Sequence, residues 1–293
     1  MHNLTPSAIE LVDFYDDGEQ ARHFQFRLLD GAVSASADPA LTEPTLTKQD
    51  TGWQKVQIGQ FFMLNVPGVG EAPFTFTQMP DEQGHFRALV RQMGAVTTAL
   101  FGLQPGQILG ARGPYGIGWP MNEISGKRIL VVGGGCGLAP LVGVVDHLVE
   151  QQNYTQLTVV YGARSQQAKM LNPERERWQQ FIPVFNMIEN GDLNGDENEY
   201  HGRPIDIMPT VLDSFGELPD VVLLAGPQVM MFGMADYLVA SGVYDHAIYL
   251  SIERRMHCGL GTCGHCYLKH QYICTDGPTF RWDVLQPYLP EDH

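Results

Sequence analysis

The sequence is poor in basic residues and in long apolar runs. Its 293 residues include 18 Lys and Arg against 33 Asp and Glu, a formal charge of −15. With so few cations the chain offers no electrostatic footprint for nucleic acid or for an anionic membrane surface. The most apolar uncharged stretch, Ile129 to Val145, spans 17 residues and holds five glycines and a proline. It is too short and too glycine-rich to insert in a membrane. The first 17 residues carry Glu10 and Asp13 and no basic region ahead of an apolar run, so no Sec signal is read there. The expectation is a cytoplasmic protein. G-x-S-x-G, H-E-x-x-H and Walker patterns are absent as well. What the chain has is 44% hydrophobic and 17% charged residues, a globular balance, and a length that suits about two domains.

Cysteine is scarce and unevenly placed. Four of five lie in the last 36 residues, as Cys258-x4-Cys263-x2-Cys266-x7-Cys274. A secreted disulfide framework would spread its cysteines through the fold. The first three positions have the plant-type spacing for a [2Fe–2S] cluster. Gly259, Gly261 and Gly264 let the loop wrap tightly, so that backbone amides can reach sulfur. A structural zinc site is the alternative, although a ribbon carries two C-x2-C knuckles and one is present. Inert thiols are a third reading. His257 and His265 are read as neighbours of the ligands.

The rhythm of the chain changes twice. Residues 1–122 read as short strands: Ala21–Leu29, Gln60–Val66, Phe74–Thr77 and His85–Arg91. A polar loop spans Gly31–Gly52, and one helix begins near Ala95. That pattern predicts a small antiparallel barrel. Residues 123–245 alternate strand and helix: Arg128–Val132, Leu138–Val149, Leu157–Tyr161, Pro173–Phe181, Val221–Ala225 and Val229–Ser241. Near-continuous apolar strands between helices predict a parallel sheet covered on both faces. Residues 246–293 hold the cysteines and little predicted regular structure. Glu189–Glu199 reads as a solvated acidic loop; Glu197 stands where a calcium loop needs glycine.

Gly133-Gly134-Gly135-Cys136-Gly137-Leu138-Ala139-Pro140 follows a strand and opens a helix. Glycines in that context let a backbone approach a pyrophosphate at a helix N-terminus. The run departs from the strict G-x-G-x-x-G fingerprint, and a purely structural strand–turn–helix remains open. Cys136 is either a small buried residue or a thiol facing a reacting nicotinamide. Arg164, at the end of the second strand, is either solvated or a partner for a ribose 2′-phosphate. Gly226-Pro227 ends the third strand at the same edge. Gly94-Ala95-Val96-Thr97-Thr98 places small and hydroxyl residues at a helix start, where amides can meet an anion.

The order of these motifs resembles the ferredoxin–NADP⁺ reductase superfamily. The motifs are Glu71-Ala72-Pro73-Phe74-Thr75, Gly94–Leu100, Gly113-Pro114-Tyr115-Gly116, Gly133–Pro140 and the cysteines. More narrowly the chain resembles its iron–sulfur flavoprotein branch, above all the gamma subunit of cytosolic NiFe hydrogenase (sulfhydrogenase). The electron-transfer subunits of anaerobic sulfite reductase and of dihydroorotate dehydrogenase are also similar. The resemblance covers about Pro6 to Gln286.

It implies an NAD(P)H-dependent FAD and iron–sulfur oxidoreductase subunit that exchanges electrons with partner subunits, such as hydrogenase small, large and iron–sulfur subunits. It also implies site roles. Phe74 would pack on the flavin and Thr75 would lie near its N5. Cys136 would lie at the nicotinamide contact. The family's Arg-x-Tyr-Ser becomes Ala72-Pro73-Phe74-Thr75, so Arg87 or Arg91 would have to replace the missing arginine. Cys258, Cys263, Cys266 and Cys274 would be the cluster ligands. The reading from another class is a zinc-stabilised, non-catalytic binding protein.

Overall fold

The structure, a computed structural model, describes residues 5–29 and 52–288. The loop expected over Gly31–Gly52 lies outside them but for Gly52.

The first six strands form one antiparallel sheet: β1 (Ser7–Asp16), β2 (Ala21–Leu28), β3 (Phe61–Val66), β4 (Gly70–Thr75), β5 (His85–Arg91) and β6 (Ile108–Tyr115). Their order is β4-β3-β6-β1-β2-β5; the chain just after β4 bridges to β5 at Gln78 and Arg87 to close a barrel, while β4 itself stays unpaired on that side. Alternation builds it. Ile9 and Leu11 on β1, Phe24 and Phe26 on β2, and Phe62 and Leu64 on β3 all point inward and are fully buried. Trp53, Phe76 and Phe86 fill the centre, with Phe62 and Phe76 ring centroids 4.7 Å apart. Each such buried aromatic contributes about 2–3 kcal/mol relative to exposure. Helix α1 (Ala95–Phe101) packs beside β3 and β4. Strands β1 and β6 carry no expectation from sequence.

A short helix, α2 (Met121–Ile124), leads into the second sheet. Its strands are β7 (Arg128–Gly134), β8 (Gln156–Ala163), β9 (Val184–Ile188), β10 (Glu199–His201), β11 (Val221–Ala225) and β12 (Ile248–Ser251). Two short strands, β13 (Tyr267–Leu268) and β14 (Gln271–Tyr272), pair only with each other, and β15 (Thr279–Arg281) returns to the large sheet. The sheet order is β10-β9-β8-β7-β11-β12-β15, parallel throughout except for β15. On β7, Leu130 and Val132 face one core while Ile129 and Val131 face the other. Helices α3 (Ala139–Gln151) and α4 (Asn172–Trp178) cover the second face. Helices α5 (Met208–Phe215) and α6 (Gln228–Ala240) cover the first.

Two expectations need correction. Residues 246–293 are not short of regular structure: β12 and β15 extend the parallel sheet, and Ile273, Cys274, Phe280 and Trp282 join its core. Glu199 is not a solvated member of an acidic loop. Its side chain is buried and held by Lys169, Gln166 and the Asn194 amide, which draw its carboxyl below the ordinary range against the opposing cost of burial.

Candidate redox site

The glycine turn sits where β7 leaves the sheet beside the end of β11. A tight helical turn, 135–138, runs directly into α3. Most of its glycines answer to packing. A Cβ on Gly137 would stand 2.3 Å from Gly226 Cα, one on Gly133 would meet Leu138 at 2.5 Å, and one on Gly134 would meet the Met230 sulfur at 2.7 Å. Gly135 differs: its φ is +54°, and a Cβ there would meet only open space. The close approach thus joins Gly137 to Gly226, followed by Pro227. Leu138 and Ala139 are buried, whereas Arg164 is exposed at the end of β8.

Cys136 is half-buried next to this open side, and burial pushes its thiol up. Arg91 from the barrel and Glu253 from the segment after β12 act on it electrostatically. Glu253 is exposed at the surface, and desolvation raises its carboxyl above the ordinary range. Three parts of the chain therefore converge on the Cys136 thiol. Glu253 opens the stretch Glu253–Cys258 that carries the family resemblance, but no role at the glycine turn is expected for it from sequence, because nothing in its neighbours signals that β12 delivers it there.

On the barrel, β4 is half-exposed along its whole length, an open edge from Ala72 and Pro73 to Phe74 and Thr75. Phe74 leans on Phe62, centroids 6.3 Å apart, and the Thr75 hydroxyl donates to the Gln60 carbonyl at 3.3 Å. Gly94, Ala95 and Thr98 are exposed and Val96 is half-buried. Thr97 turns inward: its hydroxyl accepts from the Met93 and Gly94 amides and donates to the Gly94 carbonyl. It is a helix cap, and the free first-turn amides of α1 are backbone groups. Arg112 on β6, also unmarked in the sequence, donates to Glu71 at 3.0 Å and to the Cys258 carbonyl at 3.1 Å.

The cysteines fold into two pairs. Cys266 and Cys274 are buried with sulfurs 3.2 Å apart, while Cys258 is half-exposed, hydrogen-bonded to exposed Cys263. Among the described residues no three cysteine sulfurs lie within 4.8 Å of one another. A tetrahedral zinc site, with bonds of about 2.3 Å, would bring all four to about 3.8 Å. Two pairs instead suit two metal atoms with two thiolates each. Gly259, Gly261 and Gly264 all take positive φ. That lets the Leu260 amide donate to Cys258 Sγ at 3.3 Å and the Gly261 amide to Cys274 Sγ at 3.0 Å. Burial opposes ionisation of Cys258, but the Leu260 amide, the Thr262 hydroxyl and the Cys263 amide overcome it and bring its thiol to about 6. His257 and His265 are exposed and pack edge to face beside the loop.

Family comparison covers these same three regions. Residues 32–118 match an oxidoreductase FAD-binding domain and residues 131–236 an oxidoreductase NAD-binding domain. Residues 253–286 match the iron–sulfur cluster binding domain of dihydroorotate dehydrogenase B. The gamma subunit of sulfhydrogenase 1 from Pyrococcus furiosus is 30% identical over 292 residues, covering 96% of this chain and 94% of its own. The chain belongs to this iron–sulfur flavoprotein family. A probable dihydroorotate dehydrogenase B electron transfer subunit from Thermococcus kodakarensis is 31% identical over 229 residues, 78% of this chain and 85% of the relative. A chain in the structure of an NADH-dependent reduced ferredoxin-NADP oxidoreductase shares the fold, with a TM-score of 0.71 at 22% identity over 99% of this chain and 94% of that one. This protein is accordingly an NAD(P)H-dependent FAD and iron–sulfur oxidoreductase subunit that transfers electrons. Among the described residues no helix is long and apolar enough to cross a membrane.

Proposed function

We propose that the chain is the cytoplasmic diaphorase subunit of a multi-subunit redox complex, with a NiFe hydrogenase as its catalytic partner. The identity and near full-length coverage of the sulfhydrogenase gamma subunit support that partner, and electron-transfer subunits of dihydroorotate dehydrogenase are the alternative. The proposed division is 1–122 for FAD, 123–245 for NAD(P) and 246–293 for the cluster. When bound, FAD takes an electron pair from a hydride and releases electrons singly, and a [2Fe–2S] cluster carries one.

The chain's own residues prepare that exchange. The open edge of β4 would present Phe74 to a flavin ring and Thr75 to its N5. The free first-turn amides of α1, from Ala95 to Thr97, would face its pyrophosphate, with Arg91 supplying charge. Gly135 offers the one open backbone position of the nucleotide turn, and Cys136 with Glu253 lines the nicotinamide side. Gly226, Pro227 and Arg164 would flank the nucleotide. Cys258 with Cys263, and Cys266 with Cys274, would each hold one iron.

The observation that carries this reading is the pairing of the four sulfurs. The protein purified without oxygen should show flavin bands over a broad [2Fe–2S] envelope, bleached by NADH or NADPH. A colourless protein containing zinc would overturn it. Mass identification of the subunits that copurify with the native chain separates a hydrogenase partner from the alternative.

A further inference from the structure

Away from the cysteines, Asp17, His23 and Glu174 meet in the wall between the two sheets. Asp17 lies in the turn after β1, His23 on β2, and Glu174 in the first turn of α4. They are 3%, 2% and 6% exposed. One ligand atom from each lies within 4.8 Å of the other two. His23 Nδ1 is 3.7 Å from Asp17 Oδ2 and 3.7 Å from Glu174 Oε1.

The second observation is what these carboxylates lack. Asp17 Oδ2 and Glu174 Oε2 are buried and have no hydrogen-bond partner, although Asp17 Oδ1 accepts from the Leu171 amide at 2.9 Å. Neighbouring guanidiniums are engaged elsewhere: Arg175 with Asn172, Asn186 and the Met170 carbonyl, Arg177 with Asp146, and Arg87 with Gln25. Two carboxylates in such a place call for a cation. The imidazole can supply a donor. Its Nε2 meets the Thr77 hydroxyl at 2.6 Å, so an Nε2–H donating there leaves Nδ1 to accept from the Tyr15 hydroxyl at 2.7 Å. An ion at Nδ1 would take the place of that hydroxyl proton, with the Tyr15 oxygen beside it.

We propose that Asp17, His23 and Glu174 bind one divalent first-row transition ion that clamps the barrel to α4. The spacing suits it: three ligand atoms each about 2.1 Å from an ion stand about 3.4–3.6 Å apart. One imidazole with oxygen donors favours Mn²⁺ or Zn²⁺ over Ca²⁺ or Mg²⁺, which prefer oxygen alone. The role is structural, and the site is independent of the redox reading.

The test uses the complete protein with its flavin and cluster, dialysed against EDTA and titrated with MnCl2. Free Mn²⁺ is followed by its six-line EPR signal, and the cluster by its absorbance. One Mn²⁺ per chain should bind saturably, raise the melting temperature, and leave the cluster absorbance unchanged. The double variant Asp17→Asn/Glu174→Gln should bind none and melt at the same temperature with and without Mn²⁺. His23→Gln, which keeps both carboxylates, should weaken binding at least about tenfold. Absence of saturable binding to the wild type, or equal binding by wild type and His23→Gln, would overturn the proposal even if the double variant does not fold.

Discussion

Arg112 donates through Nη1 to the carbonyl oxygen of Cys258, 3.1 Å away. The same guanidinium holds Glu71 through Nε and Nη2 and the Tyr115 hydroxyl through Nη1. Glu71 is the second residue of the strand that carries Phe74 and Thr75. One buried cation therefore ties the proposed flavin edge to the first cysteine of the cluster loop. The Tyr115 ring closes the joint, lying against Gly259 where a Cβ would stand 3.0 Å from it.

Arg112→Gln should leave Glu71 without its fork and release the Cys258 carbonyl. The expected loss of stability is about 3 kcal/mol, the cost of breaking a mostly buried pair. Rapid mixing with NAD(P)H should show flavin bleaching at the wild-type rate and cluster reduction slowed, because only the joint between the two regions is disturbed. Arg112→Lys keeps the charge but not the fork and should fall between. Equal slowing of both phases would show that Arg112 supports the fold without positioning the cluster.

Gly137→Ala and Gly135→Ala should fail differently. At Gly137 the new methyl would meet Gly226 Cα at 2.3 Å, backbone against backbone, so the turn must open. NAD(P)H-dependent bleaching should be lost while flavin and cluster remain. At Gly135 there is space, and the cost is the left-handed φ, about 1 kcal/mol. That variant should fold and bind the nucleotide more weakly, since its methyl stands on the open side. A nucleotide titration of both, read by flavin absorbance, checks the contrast.

Where sequence and structure agree, the local signals are strong. His85–Arg91 and Val221–Ala225 appear with the expected bounds, because their alternation and their apolar run each admit one period. The cysteine spacing is legible for the same reason: loop length fixes which sulfurs can pair. Strand β1 is not legible, since its alternation is interrupted by a bulge between Leu11 and Asp13. Strand β12 is four residues long and owes its place to β11 and β15 on either side. The roles of Arg112 and Glu253 are invisible because each acts across 146 and 117 residues of chain, on Cys258 and Cys136 respectively. Thr97 carries the right composition for an anion site, yet its hydroxyl serves the helix cap.

Cys263→Ser should abolish the EPR signal of the reduced cluster and leave the flavin bound. Cys263 is exposed, at the loop surface, so its loss opens no cavity in the core. Cys266→Ser is expected to be worse: its sulfur is buried in the core shared with Ile273, Phe280 and Trp282, and a hydroxyl there is poorly partnered. Its yield and melting temperature should drop below those of Cys263→Ser. An unchanged EPR signal in Cys263→Ser would refute its place as a ligand.

Glu253 gives a pH signature that does not depend on bound nucleotide. Desolvation raises its carboxyl in the folded protein, so the folded chain holds that proton more tightly than the unfolded chain does. The corresponding stability is fully present below the ordinary range near about 4.3 and is lost as pH rises through the raised folded value. Glu253→Gln carries no such proton and escapes the loss. Its melting temperature relative to wild type should therefore climb as pH rises from acid toward neutral and then level off. Asp17 and Glu174 are raised in the same direction by burial, but they are unchanged in the variant and cancel in the difference. A melting difference independent of pH would mean that Glu253 is hydrated like an ordinary surface carboxylate.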